Sequence, residues 1–153
     1  MPLLQRNNNP TKPNNILRLA SNLLALLGAL DALYLWIYKI SSNDKMCLGN
    51  GGCASVNYSS FSEVYGIPVA FLGLVTYLVI LVILLLEPSW KIAQQYGTYI
   101  VFGISLVGVL FSAYLTYIEY FVIYAVCPFC FASAIIMTLL FFLSIARLGK
   151  TLN

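Results

Sequence analysis

Residues 67–86 read IPVAFLGLVTYLVILVILLL, twenty positions without one charge. An α-helix rises about 1.5 Å per residue, so about 20 residues cross the roughly 30 Å hydrocarbon core of a bilayer. A buried helix of a soluble protein can look this way once. Here the pattern recurs, because apolar runs also cover residues 16–40, 96–122 and 128–146. The chain has 153 residues, 61% hydrophobic and only 8% charged. A soluble domain carries about 25% charged residues, which form its polar skin. The expectation is therefore an all-α integral membrane protein, a four-transmembrane-helix bundle over residues 16–147. The first run is too long for the core of a secretory signal, and no small-residue cleavage site follows it, so it counts as a span.

The flanks give the orientation. Residues 1–15 are rich in Asn and Pro and read as a disordered cytoplasmic tail, and residues 148–153 form a short second tail. With the amino terminus inside, Arg6, Lys12, Arg18, Lys91, Arg147 and Lys150 face the cytoplasm, while Lys39 and Lys45 face out. Six against two satisfies the positive-inside rule. Both termini are then cytoplasmic, and residues 41–64 form a long first outer loop. The net charge of +3 is small, and no basic run carries interleaved aromatics, so nucleic acid is not an expected partner.

This orientation puts Cys47, Cys53, Cys127 and Cys130 on one side of the membrane, the non-cytoplasmic side on which disulfides persist. The chain has no histidine, which removes the usual general base and the commonest metal ligand. Cys127-Pro128-Phe129-Cys130 stands where the fourth span begins. Proline suits the first helical position, so Cys127 is expected as the cap and Cys130 in the first turn. The positive end of the helix dipole favours a thiolate there, which suits redox exchange better than a structural disulfide. Half a zinc site is the other reading of C-x-x-C. The C-x5-C spacing of the other pair and the lack of histidine argue against it.

The second pair, Cys47-Leu48-Gly49-Asn50-Gly51-Gly52-Cys53, carries three glycines and polar flanks. It reads as a mobile, water-accessible shuttle rather than a static staple. Between the third and fourth spans, residues 120–126 contain no Gly, Pro or charge. Such a turn stays in the apolar interface and holds the C-x-x-C at membrane depth. A lipid-soluble electron carrier such as a quinone fits there, and so does a tight helix hairpin with no ligand. Asp31, mid-way along the first span, either faces a watery pocket or bonds a hydroxyl such as Thr76 or Ser112. Glu119 is expected to reach water at the outer end of the third span.

Together the motifs resemble the vitamin K epoxide reductase family, in particular its bacterial members. The likeness rests on Cys47-x5-Cys53, Ser59-Ser60 and Tyr65-Gly66-Ile67-Pro68-Val69-Ala70-Phe71-Leu72-Gly73. It continues with Ala113-Tyr114-Leu115-Thr116-Tyr117 and Cys127-Pro128-Phe129-Cys130, covering about residues 16–145. The resemblance implies a bundle around a quinone (ubiquinone, menaquinone or plastoquinone), with the outer loop capping the active site. It also implies a bacterial plasma membrane or a thylakoid-type membrane. By position, Cys47 exchanges with a thioredoxin-fold dithiol protein, Cys53 attacks Cys127, and Cys130 faces the quinone. Ser59 corresponds to the family's loop hydroxyl, and Phe71 and Phe129 join Cys130 and Ser59 as quinone contacts. The chain reads as a stand-alone member whose thioredoxin-like partner acts in trans.

Animal members carry an asparagine in the second span and a tyrosine seven residues after the first cysteine of the C-x-x-C. The positions here are about Val82 and Ala134, which favours a respiratory quinone over vitamin K epoxide. Two other readings stay open: a quinone or epoxide reductase serving quinone recycling, and a non-catalytic membrane protein with structural disulfides. Four cysteines allow three pairings, and the residues alone leave the choice open.

Overall fold

The computed structural model describes residues 12–41 and 52–152. Four helices among them are long and apolar enough to cross a membrane. These are α1 (Lys12–Ser41), α3 (Val69–Leu86), α4 (Lys91–Ile118) and α5 (Pro128–Leu152), and a short α2 (Gly52–Asn57) opens the cap between the first two. The protein is an all-α membrane bundle. Its outward residues are the apolar ones, with Leu23, Leu85, Val107, Leu110 and Phe142 exposed. In water such a surface would be a large hydrophobic patch, and in lipid it is the expected one.

Several helix ends differ from the hydropathy reading. Helix α1 starts at Lys12, inside the stretch expected to be a disordered tail. Pro13 does not prevent this, because the N–H it lacks would have no partner in a first turn. Helix α5 runs on through residues 148–152, which were also expected as tail. It has no proline to stop it, and Lys150 complements the negative end of the dipole. Helix α3 ends before Pro88, which has no N–H to continue the ladder. Trp90 N–H still reaches the Leu86 carbonyl at 3.0 Å, and the Trp90 carbonyl accepts the first bond of α4 from Gln94. The turn is that short, so α3 and α4 run antiparallel.

Helix α1 packs on α3 and α5, α4 packs on α5, and the α3–α4 seam is the loosest. Small residues make the first seam close. Ala25, Ala29 and Ala32 are buried on one face of α1, and a Cβ at Gly28 would run into the Tyr77 ring. Without a hydrophobic force between helices in lipid, such close approach supplies the packing. The cap continues from α2 through a 3-10 turn (Ser60–Ser62) into a hairpin of β1 (Glu63–Val64) and β2 (Ile67–Pro68). Glu63 pairs with Pro68 and Val64 with Ile67. Tyr65 and Gly66 have φ of 53° and 81°, as a two-residue type I′ turn requires.

Candidate functional site

The site is built where α4 hands the chain to α5. Helix α4 ends in a π turn over Glu119–Ile123, followed by Tyr124 in the left-handed region with φ 55°. The Glu119 carbonyl accepts from Tyr124 N–H and from Ala125 N–H at 3.2 Å. This reverses the chain without glycine or proline and leaves Tyr124 outward. Helix α5 then starts at Pro128, and the Cys127 carbonyl accepts its first bond from Phe131 N–H at 3.0 Å. Cys127 is thus the cap residue, 0% exposed, and the Cys130 thiol hydrogen-bonds with that of Cys127 one turn away.

Cys130 forms part of the wall of a cavity of about 160 Å³. All four long helices contribute to its lining, α1 through Ala32 and Leu35. Ala70, Gly73 and Tyr77 line it from α3, Ser112, Leu115 and Thr116 from α4, and Ala134 and Met137 from α5. Val56, Ser59, Phe61 and Ser62 close it from the cap. An apolar cavity of about 150 Å³ holds one benzene ring, so this one accepts a single six-membered ring beside a thiol. Cys127, Leu35 and Tyr38 form a buried cluster against the cavity wall, with Val56, Ala70, Phe129 and Cys130 packed on it.

The sequence model of the vitamin K epoxide reductase family matches residues 19–145, which hold α3, α4, the cap and both members of the C-x-x-C. The chain belongs to that family. Thiol-disulfide oxidoreductase LTO1 of Arabidopsis thaliana is 33% identical over 122 residues, covering 76% of this chain and 32% of that protein. The chain therefore spans about a third of the length of that relative. As a member of the vitamin K epoxide reductase family it is a multi-pass membrane protein.

Not every expected site residue of this family member meets at the cavity. Cys130 and Ser59 line it. The Ser59 hydroxyl donates to the Val56 carbonyl at 2.7 Å, which tightens the cap and leaves its oxygen lone pairs available. Phe71 and Phe129, expected as quinone contacts, are not in the lining. Phe71 turns to Trp36 on α1 with ring centroids 5.2 Å apart, and Phe129 to Tyr34 at 4.8 Å. One step along a helix rotates a side chain by about 100°, so Ala70 and Cys130 line the cavity while Phe71 and Phe129 turn away from it. Cys47 lies outside the described residues. Cys53 falls in α2, with its side chain outside them, so the expected mobility of that pair has no structural counterpart here. Ala134 lines the cavity, but Val82 is 51% exposed on the outer face of α3. Only the first of those two family departures bears on the pocket.

Two acids sit otherwise than the sequence suggested. Glu119 does not reach water: it is 4% exposed and lines the cavity. Its carboxyl faces the Cys127 backbone N–H and the Cys130 thiol. The signal was present in the spacing, since Ser112, Thr116 and Glu119 make one polar stripe on α4 at intervals of four and three. Asp31 bonds neither hydroxyl named for it through Oδ2, which is buried without a hydrogen-bond partner, while Thr76 donates to the Leu72 carbonyl of its own helix at 2.8 Å. Asp31 is outside the cavity lining but within electrostatic reach of both cysteines. Tyr77, not singled out from the sequence, joins α3 to Ser133 of α5 beside the cavity.

Proposed function

We propose that this protein is a thiol oxidase that passes two electrons from a thioredoxin-fold dithiol protein to a membrane quinone. The observation that carries the reading is the Cys130 thiol in the wall of a ring-sized apolar cavity, with Cys127 buried directly behind it. The lining fits a quinone head group: apolar walls for the ring, and the Ser59, Ser112 and Thr116 hydroxyls for its oxygens. A bound quinone supplies an acceptor for two electrons and two protons.

The partner thiolate attacks Cys47 of a Cys47–Cys53 disulfide and releases Cys53. The partner's second thiol resolves that mixed disulfide, leaving the partner oxidised and Cys47 free. Cys53 attacks Cys127 of a Cys127–Cys130 disulfide, and Cys47 then re-forms its bond to Cys53. Each exchange breaks one S–S bond and makes one. Cys127 and Cys130 end as a dithiol, and re-forming their disulfide gives two electrons to the quinone. The name of the Arabidopsis relative supports thiol–disulfide exchange, and the grouping of Lys12, Arg18, Lys91, Arg147 and Lys150 at the opposite helix ends supports cytoplasmic termini. The working unit on this reading is residues 16–147, with residues 41–64 on the periplasmic or lumenal side.

Anaerobic mixing with a reduced thioredoxin-fold protein and a quinone tests the proposal by quinone absorbance. Quinone should be reduced in step with partner oxidation, and Cys130→Ala should abolish it. Normal reduction by Cys130→Ala sinks the assignment.

A further inference from the structure

Quinone reduction by a dithiol moves protons as well as electrons, and the chain offers no histidine to carry them. The cavity wall holds one carboxyl in contact with a reacting sulfur. Glu119 is almost fully buried among apolar side chains, a costly place for a carboxyl unless its partners are there too. Its partners are the Cys127 amide and the Cys130 thiol. The backbone is shaped around this contact, because the π turn and left-handed Tyr124 bring Cys127 back against the residue that begins the turn. π-helical turns are frequent at functional sites.

We propose that Glu119 is a catalytic residue that accepts the proton of the Cys130 thiol and delivers it to the quinone oxygen nearest that sulfur. The assignment rests on the quinone-reductase reading above. In balance, the Cys127 and Cys130 S–H bonds break and one S–S bond forms. Two electrons leave the sulfurs for the quinone, and two protons reach its two oxygens. Glu119 ends the turnover in the protonation state in which it began. From α5 the Cys127 and Cys130 thiols face this carboxyl. From α1, Asp31 lies within reach of the same sulfurs. From α3 and the cap, the Thr76, Tyr77, Ser59 and Ser62 residues line the cavity with their hydroxyls, and the Lys39–Glu63 pair, which joins α1 to the cap, is outside the lining.

The test uses Glu119→Gln and Glu119→Asp in the full chain, with two readouts. In single turnovers of prereduced protein with a quinone, Glu119→Gln should be slower by about 100-fold or more, the usual scale of general acid–base catalysis. Glu119→Asp, which keeps the carboxyl, should recover part of the rate. The second readout needs no quinone: the pH profile of Cys130 alkylation with Cys47→Ala, Cys53→Ala and Cys127→Ser in the background. The parent profile should carry a carboxyl titration besides that of the thiol, and Glu119→Gln should lose it. Rates within about two-fold of the parent for Glu119→Gln, where the scale to be lost is far larger, overturn the proposal. If the parent reduces no quinone, the functional reading fails instead. The alkylation profiles then decide the Glu119–Cys130 link: superimposable profiles overturn it, and a lost carboxyl limb upholds it. If Glu119→Gln does not fold, the alkylation profile of Glu119→Asp decides: a shifted carboxyl limb supports a carboxyl in this role, and a profile that superimposes on the parent's rejects it.

Discussion

The Tyr77 hydroxyl on α3 donates to the Ser133 carbonyl on α5 at 2.9 Å and lies 3.0 Å from the Ser133 hydroxyl. This joins two helices that face each other across the bundle, beside the cavity. Its ring fills the space that Gly28 leaves on α1, so three helices meet at one side chain. Tyr77→Phe removes only the hydrogen bond and should cost about 1 kcal/mol. Gly28→Ala forces the ring to move and should cost about 1–3 kcal/mol, as overpacking does. Thermal unfolding in detergent checks both, and the alanine variant should melt lower than the phenylalanine one.

At the other end of the bundle, Arg147 forms an ion pair with both carboxylate oxygens of Glu87. The two side chains are only 11% and 15% exposed, so neither partner is well solvated alone. Arg147→Met should cost about 3 kcal/mol by stranding the Glu87 charge. Adding Glu87→Gln should restore much of that loss, because the stranded charge goes with it. A double-mutant cycle in detergent measures the coupling, and additive losses would show that the pair contributes nothing.

Hydropathy placed all four spans, because runs near twenty apolar residues have few other uses. Pro128 placed the start of α5 and made Cys127 its cap, since proline is at home in only a few positions of a helix. The cavity lining was not legible in the same way. Helix α3 carries no charge and only the adjacent Thr76 and Tyr77 as polar side chains, so no polar stripe tells Ala70, which faces the cavity, from Phe71, which faces Trp36. Helix α4 does carry a stripe, and Ser112, Thr116 and Glu119 on it were readable. Nearness to the helix end favours water for Glu119, but its helical face turns it towards the cavity. The tight reversal at Tyr124 had no marker, since a tyrosine rarely takes a positive φ.

Lys39 on α1 ties the cap down, donating to the Ser62 hydroxyl at 2.9 Å and pairing with Glu63 at 2.9 Å. Glu63 is 48% exposed, so solvent screens the pair, and its worth is below about 1 kcal/mol. Lys39→Met should therefore leave global melting nearly unchanged. It should instead loosen the cap, seen as faster amide hydrogen exchange at residues 58–68 than in the parent. Equal exchange there would show that the cap is held by its apolar contacts alone.

Ala134 stands one helical turn beyond Cys130, on the same side of α5, and both line the cavity. A tryptophan at Ala134 puts a large ring where about 160 Å³ is open, so it competes with whatever ring the cavity takes. Ala134→Trp should raise the KM for quinone at least about ten-fold, equivalent to about 1.4 kcal/mol. The mixed disulfide between the partner and Cys47 should still form in Ala134→Trp, because that step does not use the cavity. Val82→Trp is the matched control: the same bulk on the exposed outer face of α3 should leave KM unchanged. If both variants bind quinone as the parent does, the electron acceptor meets Cys130 by another route.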